Sequence, residues 1–168
     1  MNGIPRYSTR LLVLFLPALL ACSRSKSSAD LPYIADPGPA GNAAIAELVN
    51  AVDGARYKAD LDFISKPRPP GSAHWKAVQD RCASRFSELG YTVELHAYET
   101  GVNVLGVKAG AGRAGEQVVV SAHYDHIENC DGADDNGTGV AGLLETAGVL
   151  SKDRFDRTLV LACWDQEE

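Results

Sequence analysis

The fold of this chain is decided by residues 117–168, which read QVVVSAHYDHIENCDGADDNGTGVAGLLETAGVLSKDRFDRTLVLACWDQEE. The runs Val118–Val120 and Leu159–Cys163 are apolar on both faces, which is typical of central strands in a sheet that is covered on both sides. Between them lies a stripe of apolar residues at helical spacing: Val140, Leu143, Leu144, Ala147 and Leu150. The order of strand, loop, helix and strand predicts a βαβ unit with a parallel strand pair, and therefore the α/β class.

Upstream of this unit the sequence predicts three helices and two further strands. Apolar residues follow helical spacing from Ile45, again from Tyr57, and most clearly after Ser72, which can cap a helix. Segment 66–71 contains three prolines and is predicted to be a loop, because proline removes backbone donors and clashes with the preceding turn. Apolar and polar residues alternate over 91–98, which predicts a strand with one wet face and His96 at the surface. The second strand is predicted over 103–108.

Potential metal ligands follow the two apolar strands. His123-Tyr124-Asp125-His126 comes directly after the first, and Glu167-Glu168 closely follows the second. In open α/β sheets, ligands bind outside the carboxyl ends of the strands, so these side chains are expected to meet there. Asp135 lies 12 residues after His123, at the start of the predicted helix, where the macrodipole favours a carboxylate.

These residue types point to a hydrolytic zinc site. Zinc accepts imidazole and carboxylate ligands, and a hydrolytic zinc also needs a carboxylate base that is not itself a ligand. Glu167 and Glu168 could divide these tasks, one as base and the other as ligand. Either residue alone could be ordinary solvated charge, and a single His123 could be structural. Their order around the glycine-rich Asp-Asp-Asn turn indicates a metal site.

The first 21 residues look like an export signal, with Arg6 and Arg10 ahead of the apolar run Leu11–Ala21. That run is too short to span a bilayer as a helix. It ends in Leu19-Leu20-Ala21-Cys22, which resembles the lipobox of bacterial lipoproteins. We therefore expect residues 1–21 to be a lipoprotein signal peptide and Cys22 to be the lipidation site. The expected product is exported and lipid-anchored to the bacterial cell envelope, facing the periplasm or the cell surface. The alternative is an ordinary secretory signal with an incidental cysteine.

Composition divides the rest of the chain. Residues 22–41 are rich in Ser, Ala, Pro and Gly without apolar periodicity, which is typical of a flexible tether, and residues 42–168 form the predicted domain. The formal net charge of −6 gives no indication of nucleic-acid binding, which favours basic surfaces.

Cys22 aside, the chain has three cysteines, an odd number that cannot all pair within it. Cys82 and Cys163 lie on predicted apolar faces and are expected to be small buried hydrophobes. Cys130 lies between the two ligand turns and could bind zinc as a thiolate, although its carboxylate-rich surroundings and the lack of a second nearby sulfur disfavour this.

The motifs HYDH, GADDNGTG and WDQEE resemble the first three metal motifs of the bacterial zinc aminopeptidases with two adjacent metal ions. That family shares its peptidase domain with glutamate carboxypeptidase. Arg68-Pro69-Pro70-Gly71-Ser72 and Asn103-Val104 resemble further parts of the same domain. The resemblance implies a three-layer α/β sandwich with a mainly parallel mixed sheet, of which residues 42–168 would be an incomplete, N-terminal half.

The resemblance also implies residue roles and a peptide substrate. His123 would bind one of two zinc ions, Asp135 would bridge both, and Glu168 would bind the other. Glu167 would be the general base, and Asp125 would orient the imidazole of His123. The family needs a later aspartate and a later histidine as well, so the chain is expected to be a truncated and inactive fragment. His126 lies in the same turn as His123 and is expected to be a solvated loop histidine rather than a substitute ligand.

Two alternatives stay open from the sequence. One is a glutaminyl cyclase with a single zinc, a relative that usually lacks the Asp-Asp-Asn-Gly pattern. The other is a non-catalytic, lipid-anchored binding protein that keeps the fold. Metal content would separate these possibilities from an aminopeptidase.

Overall fold

A computed structural model of the chain describes residues 43–168. The predicted signal peptide (1–21), the tether (22–41) and the lipidation site Cys22 lie outside the described residues. Within residues 43–168, no helix is both long enough and apolar enough to cross a membrane.

The helices and strands follow the predicted order. The helices are α1 (Ala43–Asn50), α2 (Gly54–Ile64), α3 (Ala73–Glu88) and α4 (Thr138–Leu150). The strands are β1 (Thr92–Ala97), β2 (Val102–Lys108), β3 (Arg113–His123) and β4 (Arg157–Trp164). An irregular turn, Ala133–Gly137, precedes α4. The predicted cap of α3 is confirmed, because the Ser72 hydroxyl accepts a hydrogen bond from the Trp75 amide at 3.1 Å.

The four described strands form one mixed sheet in the order β1-β2-β4-β3. Strands β1 and β2 pair antiparallel, as do β2 and β4, whereas β3 and β4 pair parallel. The predicted α/β class and the parallel pair around α4 are therefore confirmed. His96 is exposed on β1, as predicted.

The main core lies between one face of the sheet and helices α2, α3 and α4. It contains the predicted stripes of α3 and α4, together with inward residues of the strands such as Val104, Leu159 and Leu161. Cys82 and Cys163 are both fully buried in it, as predicted. On the opposite face, Leu105, Val160 and Ala162 form a small second cluster. Residues 43–168 thus show the sheet and one of the two predicted helical layers.

Strand β3 departs from the prediction. Val118, Val119 and Val120 were expected in a central strand covered on both sides, but β3 is an edge strand of the described sheet and the three valines are 45%, 51% and 39% exposed. Strand β4 is central and buried, as predicted. The valine run shows that β3 is suited to burial on both faces. The composition of the strand does not show which residues would pack against those faces.

We predict that the exposed edge of β3 drives self-association, because unpaired backbone groups beside an apolar run are a template for strand pairing. Val119→Lys should lower the fraction of large species in sedimentation velocity at high protein concentration. The matched control is Leu95→Lys on β1, the other edge strand, where Leu95 is 59% exposed beside Glu94 and His96. Association that falls equally in both variants, or in neither, would contradict a specific role of the β3 edge.

Candidate metal centre

The candidate site lies at the edge of the sheet where β3 and β4 both end. Their parallel register sets Ala122 opposite Cys163 and His123 opposite Trp164. One residue further, the Tyr124 amide donates a hydrogen bond to the Trp164 carbonyl at 2.8 Å. The residues that follow both strands therefore emerge side by side, as the sequence predicted.

Asp125 fastens the two chain segments together. Its side chain is fully buried, and its carboxylate accepts hydrogen bonds from the backbone amides of Glu167 and Glu168, each at 3.2 Å. The Asp125 Oδ1 atom also lies 3.5 Å from His123 Nδ1. Asp125 thus holds the backbone of the glutamate pair and lies beside the imidazole that it was predicted to orient. That orienting role stays a prediction.

Three of the predicted site residues meet around the His123 imidazole. His123 Nε2 lies 3.0 Å from Asp135 Oδ1 and 3.9 Å from Glu167 Oε2. Asp135 comes from the irregular turn before α4, and Glu167 from the segment after β4. The His123 side chain is 10% exposed, whereas those of Asp135 and Glu167 are 68% and 63% exposed. The cluster therefore opens to solvent on its carboxylate side.

His126 corrects an expectation. It was predicted to be a solvated loop residue, but it is 4% exposed and its Nδ1 lies 2.9 Å from Glu168 Oε1. His126, Asp135 and Glu168 each offer a ligand atom, and these atoms lie within 4.8 Å of one another. Residue order does not show which way the chain turns after His123. The path of 126–132 depends on hydrogen bonds with Arg68, which is distant in the sequence.

The donors fit a zinc ion. Two imidazoles and three carboxylates converge at the strand ends, and these are ligand types that zinc accepts in proteins. His123 Nδ1 and His126 Nε2 are buried ring nitrogens without a hydrogen-bond partner. In each ring the other nitrogen faces the carboxylates: His123 Nε2 lies 3.0 Å from Asp135 Oδ1, and His126 Nδ1 lies 2.9 Å from Glu168 Oε1. His123, Asp135 and Glu168 are the predicted ligands, and the structure adds His126 to the same cluster.

Arg68 joins the loop before α3 to both ligand turns. It is fully buried, and its guanidinium donates to the carbonyls of Tyr124 at 2.8 Å, Asp131 at 2.9 Å and Gly132 at 2.9 Å. Longer hydrogen bonds reach Ile64, Lys66 and Asp135. Burial lowers the pKa of Arg68, and the charges of Asp125 and Asp135 oppose that shift. The sequence placed Arg68 in a loop that resembles the family's, but did not reveal this bonding.

Asp165 is a buried anchor that the sequence did not indicate. Its carboxylate accepts hydrogen bonds from Trp75 Nε1 at 2.7 Å and from the Val102 amide at 2.8 Å. Its backbone amide donates to Asn103 Oδ1 at 2.9 Å, and its carbonyl accepts from the Tyr98 hydroxyl at 2.8 Å. Asp165 therefore fixes the start of the segment that carries Glu167 and Glu168.

Comparison with known proteins agrees with this site. Residues 103–168 match the model of Peptidase family M28. This segment is similar to part of a Peptidase M28 domain. The match includes the HYDH, GADDNGTG and WDQEE motifs and so confirms the predicted resemblance to zinc metallopeptidases.

Two curated relatives are similar to part of the chain. Aminopeptidase YwaD of Bacillus subtilis is 34% identical over 80 residues, which cover 46% of this chain and 18% of that protein. A vacuolar membrane protease of Laccaria bicolor is 35% identical over 72 residues, which cover 42% of this chain and 7% of that protein. The chain thus matches less than a fifth of the length of either relative.

Solved structures share the fold. A glutaminyl cyclase of Macrostomum lignano aligns with a TM-score of 0.65 and 22% identity, over 72% of this chain and 40% of its own. A Zn-dependent exopeptidase of Parabacteroides distasonis aligns with a TM-score of 0.54 and 26% identity, over 71% of this chain and 47% of its own. The chain therefore shares the fold of a glutaminyl cyclase and of a Zn-dependent exopeptidase.

We predict that Arg68→Lys destabilises the protein by at least about 3 kcal/mol, because an ammonium cannot reach all of these carbonyls and each buried group left unsatisfied costs about 1–3 kcal/mol. Urea unfolding at neutral pH in the presence of a chelator measures the effect without metal. The control is Arg157→Lys, which changes the exposed ion pair with Glu116 and should cost no more than about 1 kcal/mol. Equal losses in both variants would contradict the role of Arg68.

Proposed function

We propose that residues 103–168 carry part of the active site of a zinc metallopeptidase. Within that class, the proposed enzyme is an aminopeptidase. The observation that carries the proposal is the meeting of His123, Asp135 and Glu167 at the ends of two parallel strands, within a segment that matches Peptidase family M28. The aminopeptidase activity is inferred from the relative YwaD, and the substrate is a peptide with a free N-terminus.

The proposed ligands divide between two zinc ions. His123 would hold one ion, Glu168 would hold the other, and Asp135 would contribute to both. Bound zinc would polarise the scissile carbonyl and lower the pKa of a water molecule. Each ion then has two ligands from this set, so a catalytic site with three protein ligands per ion requires further residues.

Glu167 is the proposed general base. Its side chain is largely exposed and lies on the open side of the cluster, 3.9 Å from His123 Nε2, so its carboxylate can be reached by water. It would take the proton of the attacking water and pass it to the leaving amine. Asp125 supports this role by holding the Glu167 amide, so the carboxylate starts from a fixed backbone.

We predict opposite effects for the two neighbouring glutamates. Glu167→Gln keeps size and hydrogen bonding but removes the base, so peptide turnover should fall by about 100-fold or more while zinc stays bound. Glu168→Gln should instead lose zinc. Both quantities are measured on a complete peptidase domain that carries this segment, by elemental analysis and by hydrolysis of an aminoacyl chromogenic substrate. Glu88→Gln at the exposed end of α3 is the control and should change neither.

The same measurements test the alternatives. Zinc loss in Glu167→Gln with retention in Glu168→Gln would reverse the proposed roles. One zinc per chain, with cyclisation of N-terminal glutamine instead of peptide hydrolysis, would identify a glutaminyl cyclase. Bound zinc with neither peptide hydrolysis nor glutamine cyclisation would favour a non-catalytic binding protein.

We further propose that the protein is exported and lipid-anchored to the bacterial cell envelope through Cys22. The support is the sequence Leu19-Leu20-Ala21-Cys22 after a short apolar run. Cys22→Ala should leave the product unlipidated and released from membranes, whereas the control Cys130→Ala should stay anchored. Mass spectrometry of the mature N-terminus and membrane fractionation decide the point, and an unmodified N-terminus at any other residue would refute it.

A further inference from the structure

His126 makes a buried contact that the proposed chemistry does not use. Its Nδ1 lies 2.9 Å from Glu168 Oε1, and the two side chains are 5% and 21% exposed. An ionised carboxylate only accepts hydrogen bonds, so the imidazole must carry its hydrogen on Nδ1 in this pair. The contact therefore fixes both the tautomer of His126 and one oxygen of Glu168.

The imidazole has little freedom to turn away. The His126 amide donates to the Arg68 carbonyl at 3.2 Å, which holds its backbone. On the ring side, a Cβ at Gly132 would lie 2.3 Å from His126 Cδ2 and 2.6 Å from Cγ. Only glycine leaves room for the ring at that position, and Gly132 also has a φ of +52° that favours glycine. The ring is thus packed against the backbone of the turn that carries Asp135.

Glu168 is held at both ends by these contacts. The Asp125 carboxylate accepts a hydrogen bond from the Glu168 backbone amide, and His126 donates a hydrogen bond to one of the Glu168 carboxylate oxygens. Carboxylates that bind metals are generally hydrogen-bonded in this way, and loss of such a partner typically weakens metal binding by about 10–100-fold. The oxygen that His126 does not contact, Oε2, is left for a metal ion.

We propose that His126 is a positioning residue, which donates from Nδ1 to Glu168 Oε1 and so presents the other oxygen to zinc. The inference rests on the proposed role of Glu168 as a ligand. The alternative is that His126 binds the metal ion directly. Its closeness to Asp135 and Glu168 is compatible with that alternative as well, so the test must separate the two roles. In the positioning role, an amide nitrogen at the place of Nδ1 should replace the imidazole.

The test compares three substitutions in the full 168-residue chain. In His126→Asn the side-chain amide nitrogen takes the place of Nδ1, whereas in His126→Gln it reaches toward the place of Nε2. His126→Leu removes the donor and keeps apolar volume. Zinc affinity is measured by competition with a chromophoric chelator, and urea unfolding in excess chelator measures stability without metal.

We expect Gln and Leu to weaken zinc binding by about 10–100-fold, and Asn to restore most of that loss. The visible spectrum of the cobalt-substituted chain should be unchanged in His126→Asn, because the ligand set is the same. The metal-free stability of Asn and Gln should be similar. These measurements separate the positioning of Glu168 from a merely structural role of His126. A structural role would lower the metal-free stability of all three variants and would not explain why Asn binds zinc more tightly than Gln and Leu.

Three outcomes would overturn the inference. Zinc affinity that is equal in all variants and the parent chain would show that His126 does not act on Glu168. Loss of affinity in Asn as large as in Leu, with an altered cobalt spectrum, would make His126 a direct ligand. A parent chain that binds no zinc would remove Glu168 as a ligand in this chain and so overturn the inference, whereas the proposed function is judged separately by turnover in a complete peptidase domain.

Discussion

The buried guanidinium of Arg68 is the interaction on which the arrangement of the site depends. A guanidinium has five donors in a rigid planar fork, and here they meet carbonyls from the end of α2, the end of β3 and the turn that leads to Asp135. These segments have no regular pairing with one another in the described residues. Removing a charge from water is costly, so the guanidinium is stable there only while the carbonyls stay in place around it. The loop before α3 thereby controls the path of both ligand turns.

A second constraint is the parallel pairing of β3 and β4, reinforced by Asp125. The register brings His123 beside Trp164, and the buried carboxylate then accepts the amides of both terminal glutamates. Asp165 provides a similar anchor from the other side, toward β2 and α3. The carboxylates of two buried aspartates accept the hydrogen bonds that fix this segment, from which the exposed side chain of Glu167, the proposed base, reaches solvent. The rigid parts of the site are buried, and the acidic part is open to water.

Much of the described fold followed from pattern alone. The helical stripes of α3 and α4 are local signals, and the structure reproduced them because each stripe has one face to bury. The alternation over 91–98 correctly predicted strand β1, but the predicted dry face is largely open, with Leu95 59% exposed. The failure at β3 has the opposite origin. Three successive valines predict burial, but their exposure at the edge of the described sheet depends on which neighbours the chain provides, and no local pattern contains that information.

The candidate site divides in the same way. The sequence by itself pointed to His123, Asp135, Glu167 and Glu168 as candidates, because strand ends and a glycine-rich acidic turn are visible in residue order and parallel strands must end at one edge. Only the tertiary structure showed that Arg68, His126 and Asp165 belong to the site's framework. Their partners are distant in the chain or depend on the exact path of a loop, as when Arg68 bonds Gly132 across 64 residues. Residue order specifies which chemical groups are available, whereas burial and hydrogen bonding between distant segments decide which of them hold the others in place.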